Sequence, residues 1–244
     1  MTVMLPADTN VVNELDNTEA DRVSVDAVAT PPIVLFDFDG VLIHGDAFYL
    51  FMRERYTRSL WRSLLALLCV PLLLLQLPFS RRLVMRTLVR IALLGVSQQR
   101  YQAIACGFAA TLARRPRQFY RDGLHALRRH QAAGERVIVV TGCELVLVSS
   151  ILQQLGLTHL EVLASQLRPG WFGMRPLLHN VGKRKVQQLA QHGVTAWQVA
   201  YSDSLQDVPM LKPAREVVLV NGTPTLCKKV EKALGRAITR AEWF

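Results

Sequence analysis

A chain of 244 residues, half of them hydrophobic, is long enough for one well-buried α/β body with a small insertion and too short for two full-size domains. Its net charge of +10 is uneven: residues 1–32 hold six acids against the single base Arg22, so the remainder is strongly basic and suited to anionic partners. Four cysteines, at 69, 106, 143 and 227, show neither paired spacing nor a CxxC, which argues against a disulfide framework and fits a reducing compartment.

Residues 1–32 lack the basic and apolar regions of a signal peptide, and their polar, acidic composition predicts a disordered extension outside the fold. The first structured stretch, residues 33–46, reads IVLFDFDGVLIHGD. Its apolar run without polar alternation predicts a strand buried on both faces, as in a parallel sheet. Asp37 and Asp39 follow it directly, and Gly40 supplies the kink that lets two acids one residue apart address one site. Asp46 is placed to N-cap a helix beginning at Ala47.

From 47 to 118 the pattern is helical, a predicted cap inserted after the first strand. Within it, residues 64–79, LLALLCVPLLLLQLPF, contain one polar side chain, Gln76. A straight helix of that length spans roughly 24 Å, short of the roughly 30 Å hydrocarbon core, and Pro71 and Pro78 break it. Arginines flank the run on both sides, and Arg82, Arg86 and Arg90 recur every fourth residue of a returning arm. Residues 64–96 therefore read as an interfacial or re-entrant helical hairpin on an anionic membrane surface. A leucine-rich helix pair buried in a soluble cap is the plainer alternative.

Beyond the cap come a polar helix, at about 117–133, and a second buried strand, RVIVVT, at 136–141, with Gly142 after it. A helix over 145–155, a strand and short hairpin over 161–178, and a helix over 183–192 follow, then strands at 196–202 and 216–220. Strands alternating with helices predict an α/β fold, a Rossmann-like parallel sheet. Residues 33–46 and 119–244 form its core. Parallel strands gather their carboxyl ends on one rim, which brings together Asp37 and Asp39, then Thr141, then Lys185 or its neighbour Lys183, then Asp203 and Asp207.

These groups suit phosphoryl transfer. Asp37 offers a carboxylate nucleophile, and Asp39 an acid that protonates the leaving oxygen and then activates water. Thr141 and adjacent amides can cradle phosphoryl oxygens, a lysine neutralises charge, and Asp203 with Asp37 offers hard oxygen ligands for Mg²⁺, supported by Asp207. Taken singly, each residue is as readily a cap or a solvated loop group. Their order after successive strands carries the joint case.

As a set, DFDGV, VTG, a lysine opening a helix, and SDSLQD resemble the four motifs of the haloacid dehalogenase-like phosphohydrolases over about residues 33–225. The resemblance implies nucleophile Asp37, acid/base Asp39, phosphate-binding Thr141, Gly142 and Lys185, and an Mg²⁺ site drawn from Asp37, Asp39, Asp203 and Asp207. A narrower resemblance, to the bacterial phosphatidylglycerophosphatase C branch related to phosphoserine phosphatases, rests on the leucine run between arginines and on LASQL, GKRKVQQL and YSDSLQDVPML. It implies dephosphorylation of phosphatidylglycerophosphate at the cytoplasmic face of the inner membrane. The acidic N-terminal extension is not part of that pattern.

Two alternatives accompany this expectation: a phosphatase of a soluble, phosphoserine-like substrate, and a non-catalytic phospholipid-binding module. Other chemistries lack their residues. No cysteine has arginine six positions on, no histidines form HExxH or HxH, and Gly182-Lys183 lacks the rest of a P-loop. The arginines sit among leucines rather than aromatics, which disfavours nucleic acid.

Overall fold

The computed structural model describes residues 31–244, so the expected disorder of the N-terminal extension falls almost wholly outside the described residues. Strand β1 (Ile33–Phe36) opens the fold, and five helices follow: α1 (Ala47–Thr57), α2 (Leu60–Leu68), α3 (Val70–Gln76), α4 (Arg81–Ala92) and α5 (Gln98–Ala113). Helix α6 (Arg121–Ala132) leads to β2 (Arg136–Glu144), α7 (Leu145–Gln154), β3 (Glu161–Gly170) and β4 (Gly173–Leu178). The chain ends through α8 (Lys183–Gln191), β5 (Val199–Ser202), α9 (Val208–Leu211), β6 (Glu216–Val220), α10 (Pro224–Leu234) and β7 (Thr239–Ala241).

The strands form one sheet in the order β4-β3-β2-β1-β5-β6-β7, parallel except for the β3–β4 hairpin. Successive strand residues face opposite sides, so the continuous apolar runs feed two cores. Val34 and Phe36 point into one with helices α1, α4, α5, α6 and α7, while Leu35 points into the other with α8, α9 and α10. Strand order reverses at β1: β2, β3 and β4 lie on one side of it and β5, β6 and β7 on the other. A crevice at the carboxyl ends is the geometric consequence.

The expected β-strands and α-helices are present with shifted ends. The second strand runs on to Glu144, the strand expected from 196 starts at Val199, and the helix expected from 117 starts at Arg121. Helix α10 and strand β7 have no counterpart in the sequence reading. Strand β7 is only three residues long and pairs in parallel with β6.

Prolines divide the leucine run as their chemistry requires. Helix α2 ends at Cys69, Pro71 occupies the first turn of α3, and α3 stops before Pro78. Gln76, the one polar residue of the run, accepts a hydrogen bond from Thr87 Oγ1 of α4 at 3.1 Å, and Tyr56 Oη of α1 donates to Leu88 O at 2.6 Å. Ser80 caps α4 by accepting from Arg82 N. None of α2 and α3 is buried; Leu60, Leu68 and Phe79 are 87%, 78% and 78% exposed. The alternative of a buried leucine-rich helix pair is thus not what the structure has. Among the described residues no helix is long and apolar enough to cross a membrane.

The inner side of the inserted helices is different in kind. Phe51, Tyr101, Phe108 and Leu112 are buried in the same core as Phe36 and Ile151. Phe51 meets Tyr101 and Phe108 edge to face. The chain leaves the sheet and returns at adjacent points: His44 N donates to Gln118 O, and Tyr120 N to Leu42 O.

Candidate active site

A cavity of about 490 Å³ opens at the carboxyl ends of the strands, and Asp37, Asp39, Gly142, Lys185, Asp203 and Asp207 all line it. Each is delivered by a separate local rule. Asp37 N donates to Tyr201 O at 3.0 Å, so the β1–β5 ladder runs up to the first acid, and Asp37 Oδ1 accepts from Phe38 N at 2.7 Å. The backbone then turns: Phe38 O collects the amides of Leu42 and Ile43, and Gly40 takes φ +73°. A Cβ at Gly40 would stand 1.9 Å from Asp203 Oδ2, so glycine is needed for its conformation and for the approach of Asp203. The turn swings Asp39 back, and its Oδ1 accepts from Ala47 N at 2.8 Å, at the first residue of α1. Asp46 caps that helix through Tyr49 N at 2.7 Å, the expected role.

Lys185 lies one turn into α8, whose entry is set by Gly182 at φ +60°. It is almost fully buried, and its Nζ stands 2.9 Å from Asp37 Oδ2 and 2.8 Å from Asp207 Oδ2. Lys183 is exposed and does not line the cavity, which separates the two lysines that register alone left open. Asp207, at the end of a 3-10 turn after β5, also accepts from Ser202 Oγ at 2.8 Å. Thr141 is fully buried. Its Oγ1 donates to Asp39 Oδ2 at 3.4 Å and accepts from Cys143 N at 2.9 Å, so it braces the acid while Gly142 faces the cavity.

Burial governs the protonation of this cluster, and one ammonium serves four acids. It pushes Asp37 well up, against the pull of Lys185 and with Asp207 and Asp39 adding to it. Burial lifts Asp39 to about 7, helped by Asp46 and opposed by the Ala47 amide. Asp203 is raised to about 6 by burial and then by Asp207. Burial also pushes Asp207 upward, but Lys185 and its hydrogen bonds outweigh this and hold it below the usual range. For Lys185 the two carboxylates overcome burial and raise it. The ensemble can therefore hold a proton on Asp39 near neutral pH and keep Lys185 cationic beside Asp37.

No three of these acids converge on one point as a finished metal site among the described residues, and Asp207 turns to Lys185 and Ser202. The donor chemistry nevertheless fits a hard divalent cation. Asp37, Asp39 and Asp203 share one cavity wall with raised proton affinity, and added positive charge would relieve it.

Several contributors escaped the sequence reading. Ser202 orients Asp207, and its place just before Asp203 on a strand was the available signal. Asn221 lines the cavity at the end of β6, where the same carboxyl-end rule points, and its side chain is held by Trp243. Glu144 N-caps α7 through Leu147 N and accepts from Tyr101 Oη at 2.5 Å, joining α5 to the end of β2. Tyr120 also lines the cavity, and no pattern marks it.

Comparison with known proteins agrees with this architecture. Among solved structures, a protein of unknown function from Bordetella pertussis Tohama I is 21% identical, with 86% of this chain and 98% of that one covered, at a TM-score of 0.66. A phosphoserine phosphohydrolase-like protein from Francisella tularensis subsp. tularensis SCHU S4 is 15% identical, with coverage of 86% and 94% and a TM-score of 0.56. A phosphoserine phosphatase captured as a phospho-aspartyl intermediate analogue is 16% identical, with coverage of 87% and 93% and a TM-score of 0.54. Identities this low establish a shared fold. No curated protein matches the chain. A family match over residues 34–212, spanning β1 to the end of α9 and every acid of the cavity, makes this chain a member of the haloacid dehalogenase-like hydrolase family.

Proposed function

We propose that this hydrolase is an Mg²⁺-dependent phosphomonoesterase that acts through an aspartyl phosphate on Asp37, with phosphatidylglycerophosphate as its substrate at the cytoplasmic face of the bacterial inner membrane. The observation that carries the chemistry is the contact of buried Lys185 with Asp37 at 2.9 Å, beside an Asp39 whose proton affinity is raised to about 7. A carboxylate oxygen of Asp37 attacks phosphorus, the ester bond to the alkoxy oxygen breaks, and the Asp39 proton goes to that oxygen. Asp39, now a carboxylate, takes a proton from water as it attacks the acyl phosphate, releasing inorganic phosphate and restoring Asp37. Lys185 and the Gly142 backbone offset charge on the phosphoryl oxygens. Mg²⁺ drawn to Asp37, Asp39 and Asp203, with Asp207 beside them engaged by Lys185 and Ser202, would supply the remaining charge neutralisation at phosphorus.

The exposed leucines of α2 and α3, flanked by arginines, support a lipid rather than a soluble substrate. Purified protein in detergent micelles is expected to release phosphate from phosphatidylglycerophosphate, to lose this with EDTA and to regain it with Mg²⁺. Equal or better turnover of phosphoserine would sink the lipid assignment. Fractionation tests the location, and full recovery in the soluble fraction at low salt would count against the membrane. A second reading, a soluble phosphomonoester as substrate, draws on the fold shared with phosphoserine phosphatases.

A further inference from the structure

Trp171 and Phe172 form the tip of the β3–β4 hairpin and are 98% and 79% exposed. The hairpin belongs to the central sheet, yet its tip is fastened to the end of α4. Gly95 N donates to Phe172 O at 2.8 Å, and Leu94 and Gly173 form a β-bridge. Gly173 sits at φ +125°, and a Cβ there would lie 2.2 Å from Leu93 O, so the two backbones touch without room for a side chain. The aromatic tip is thereby fixed to the chain just past the C-terminal end of α4. Helix α4 adds exposed Leu83 and Met85, and α2 and α3 pack against it.

Charge identifies what such a surface can meet. Between Glu54 and Asp122 the chain carries twelve arginines and no acid, and between Glu161 and Asp203 five bases and no acid. Arg168 and Arg175 face each other across the hairpin just behind the tip. A partner must accept large apolar side chains and an excess of cations together. An anionic phospholipid bilayer does so, with aromatic rings at headgroup level and guanidinium groups among phosphates.

We propose that Trp171 and Phe172 are an aromatic anchor that docks, together with the outer face of α2–α4, on an anionic phospholipid bilayer. This rests on the membrane reading above and extends it from the inserted helices to the catalytic sheet. From the tip, β3 runs back to Ser165, whose Oγ donates to Gly142 O at 2.7 Å on the cavity wall. The depth of the anchor therefore sets the height of Asp37 above the lipid.

The test is co-sedimentation of the full chain with vesicles of phosphatidylcholine plus phosphatidylglycerol, or of phosphatidylcholine alone, alongside turnover of p-nitrophenyl phosphate. Wild type is expected to bind the mixed vesicles preferentially. Trp171→Ser/Phe172→Ser is expected to lose at least about tenfold in partitioning with p-nitrophenyl phosphate turnover unchanged. Trp171→Glu, which keeps the hairpin and adds a charge repelled by anionic lipid, should do the same. Variants that bind like wild type would remove the anchor and leave the membrane reading standing, whereas wild type that binds neither vesicle would remove both. Equal binding to both vesicles would overturn the anionic requirement. A wild-type dimer without lipid that the double variant converts to monomer would give the tip to a second copy of this chain and overturn the proposal.

Discussion

The cavity at the strand ends and the outer face of α2–α4 are built on opposite principles. In the cavity, charges are buried and held at short range: Lys185 has two carboxylates within 3 Å, and Asp39 and Asp207 each accept from named donors. On the outer face, apolar side chains are exposed and cations have few acids nearby. Buried charges are costly unless paired, so the cavity depends on individual atoms. Exposed apolar area acts in proportion to its extent, so the outer face depends on sums. Single substitutions should be severe in the first region and mild in the second.

The sharpest contrast is Asp37→Asn, which should lower turnover by about a thousandfold or more while leaving the far-UV circular dichroism unchanged. Retained activity would remove Asp37 as nucleophile and revive a non-catalytic binding role. Next comes Lys185→Met, which leaves Asp37 and Asp207 buried without their cation. A loss of about 3–5 kcal/mol in urea denaturation should accompany loss of turnover. Gly40→Ala should cost about 1–2 kcal/mol for its left-handed backbone alone. It should lower turnover further by displacing Asp203, measured as kcat on p-nitrophenyl phosphate.

Glu144 tests burial where no phosphate chemistry intervenes. Burial raises its proton affinity above the usual 4.5, outweighing the hydrogen bonds from Tyr101 and Leu147. The folded state then binds the proton more tightly than the unfolded state does. The stability it contributes is present below 4.5 and is lost as pH rises through the folded value. Glu144→Gln should therefore gain on wild type between mildly acidic and mildly alkaline buffer, read from urea midpoints. The smallest effect belongs to the outer face: Leu67→Ser/Leu68→Ser should change stability by no more than about 0.5 kcal/mol per site and leave soluble-substrate turnover unaltered. A large loss there would show that the two regions are not independent.

Much of this division is legible in the sequence. Unbroken apolar runs ending in Asp, Thr or Gly marked the parallel strands and their rim, because the strand period and the carboxyl-end rule are local. The proline breaks in the leucine run were equally readable. The hairpin of residues 161–178 was expected, but nothing in its sequence said that its tip would meet α4, since the contact pairs Phe172 with Gly95 across 77 residues. The sequence offers Thr141 as a phosphate ligand because it ends the apolar run RVIVVT; only the fold shows its hydroxyl donating to Asp39 and accepting from the Cys143 amide.

By itself the sequence determined the order of the strands from β1 to β6 and of most helices between them, the acids and lysines available at the rim, and the basic, leucine-rich character of the insertion, because these follow from composition and short-range periodicity. Tertiary structure decided which lysine is buried against Asp37, that Ser202 orients Asp207, that Glu144 ties α5 to the end of β2, and that the leucine run stays outside the core. The reason is physical: burial and pairing are properties of distant segments brought together, and a charge acquires its role only when its neighbours exclude water.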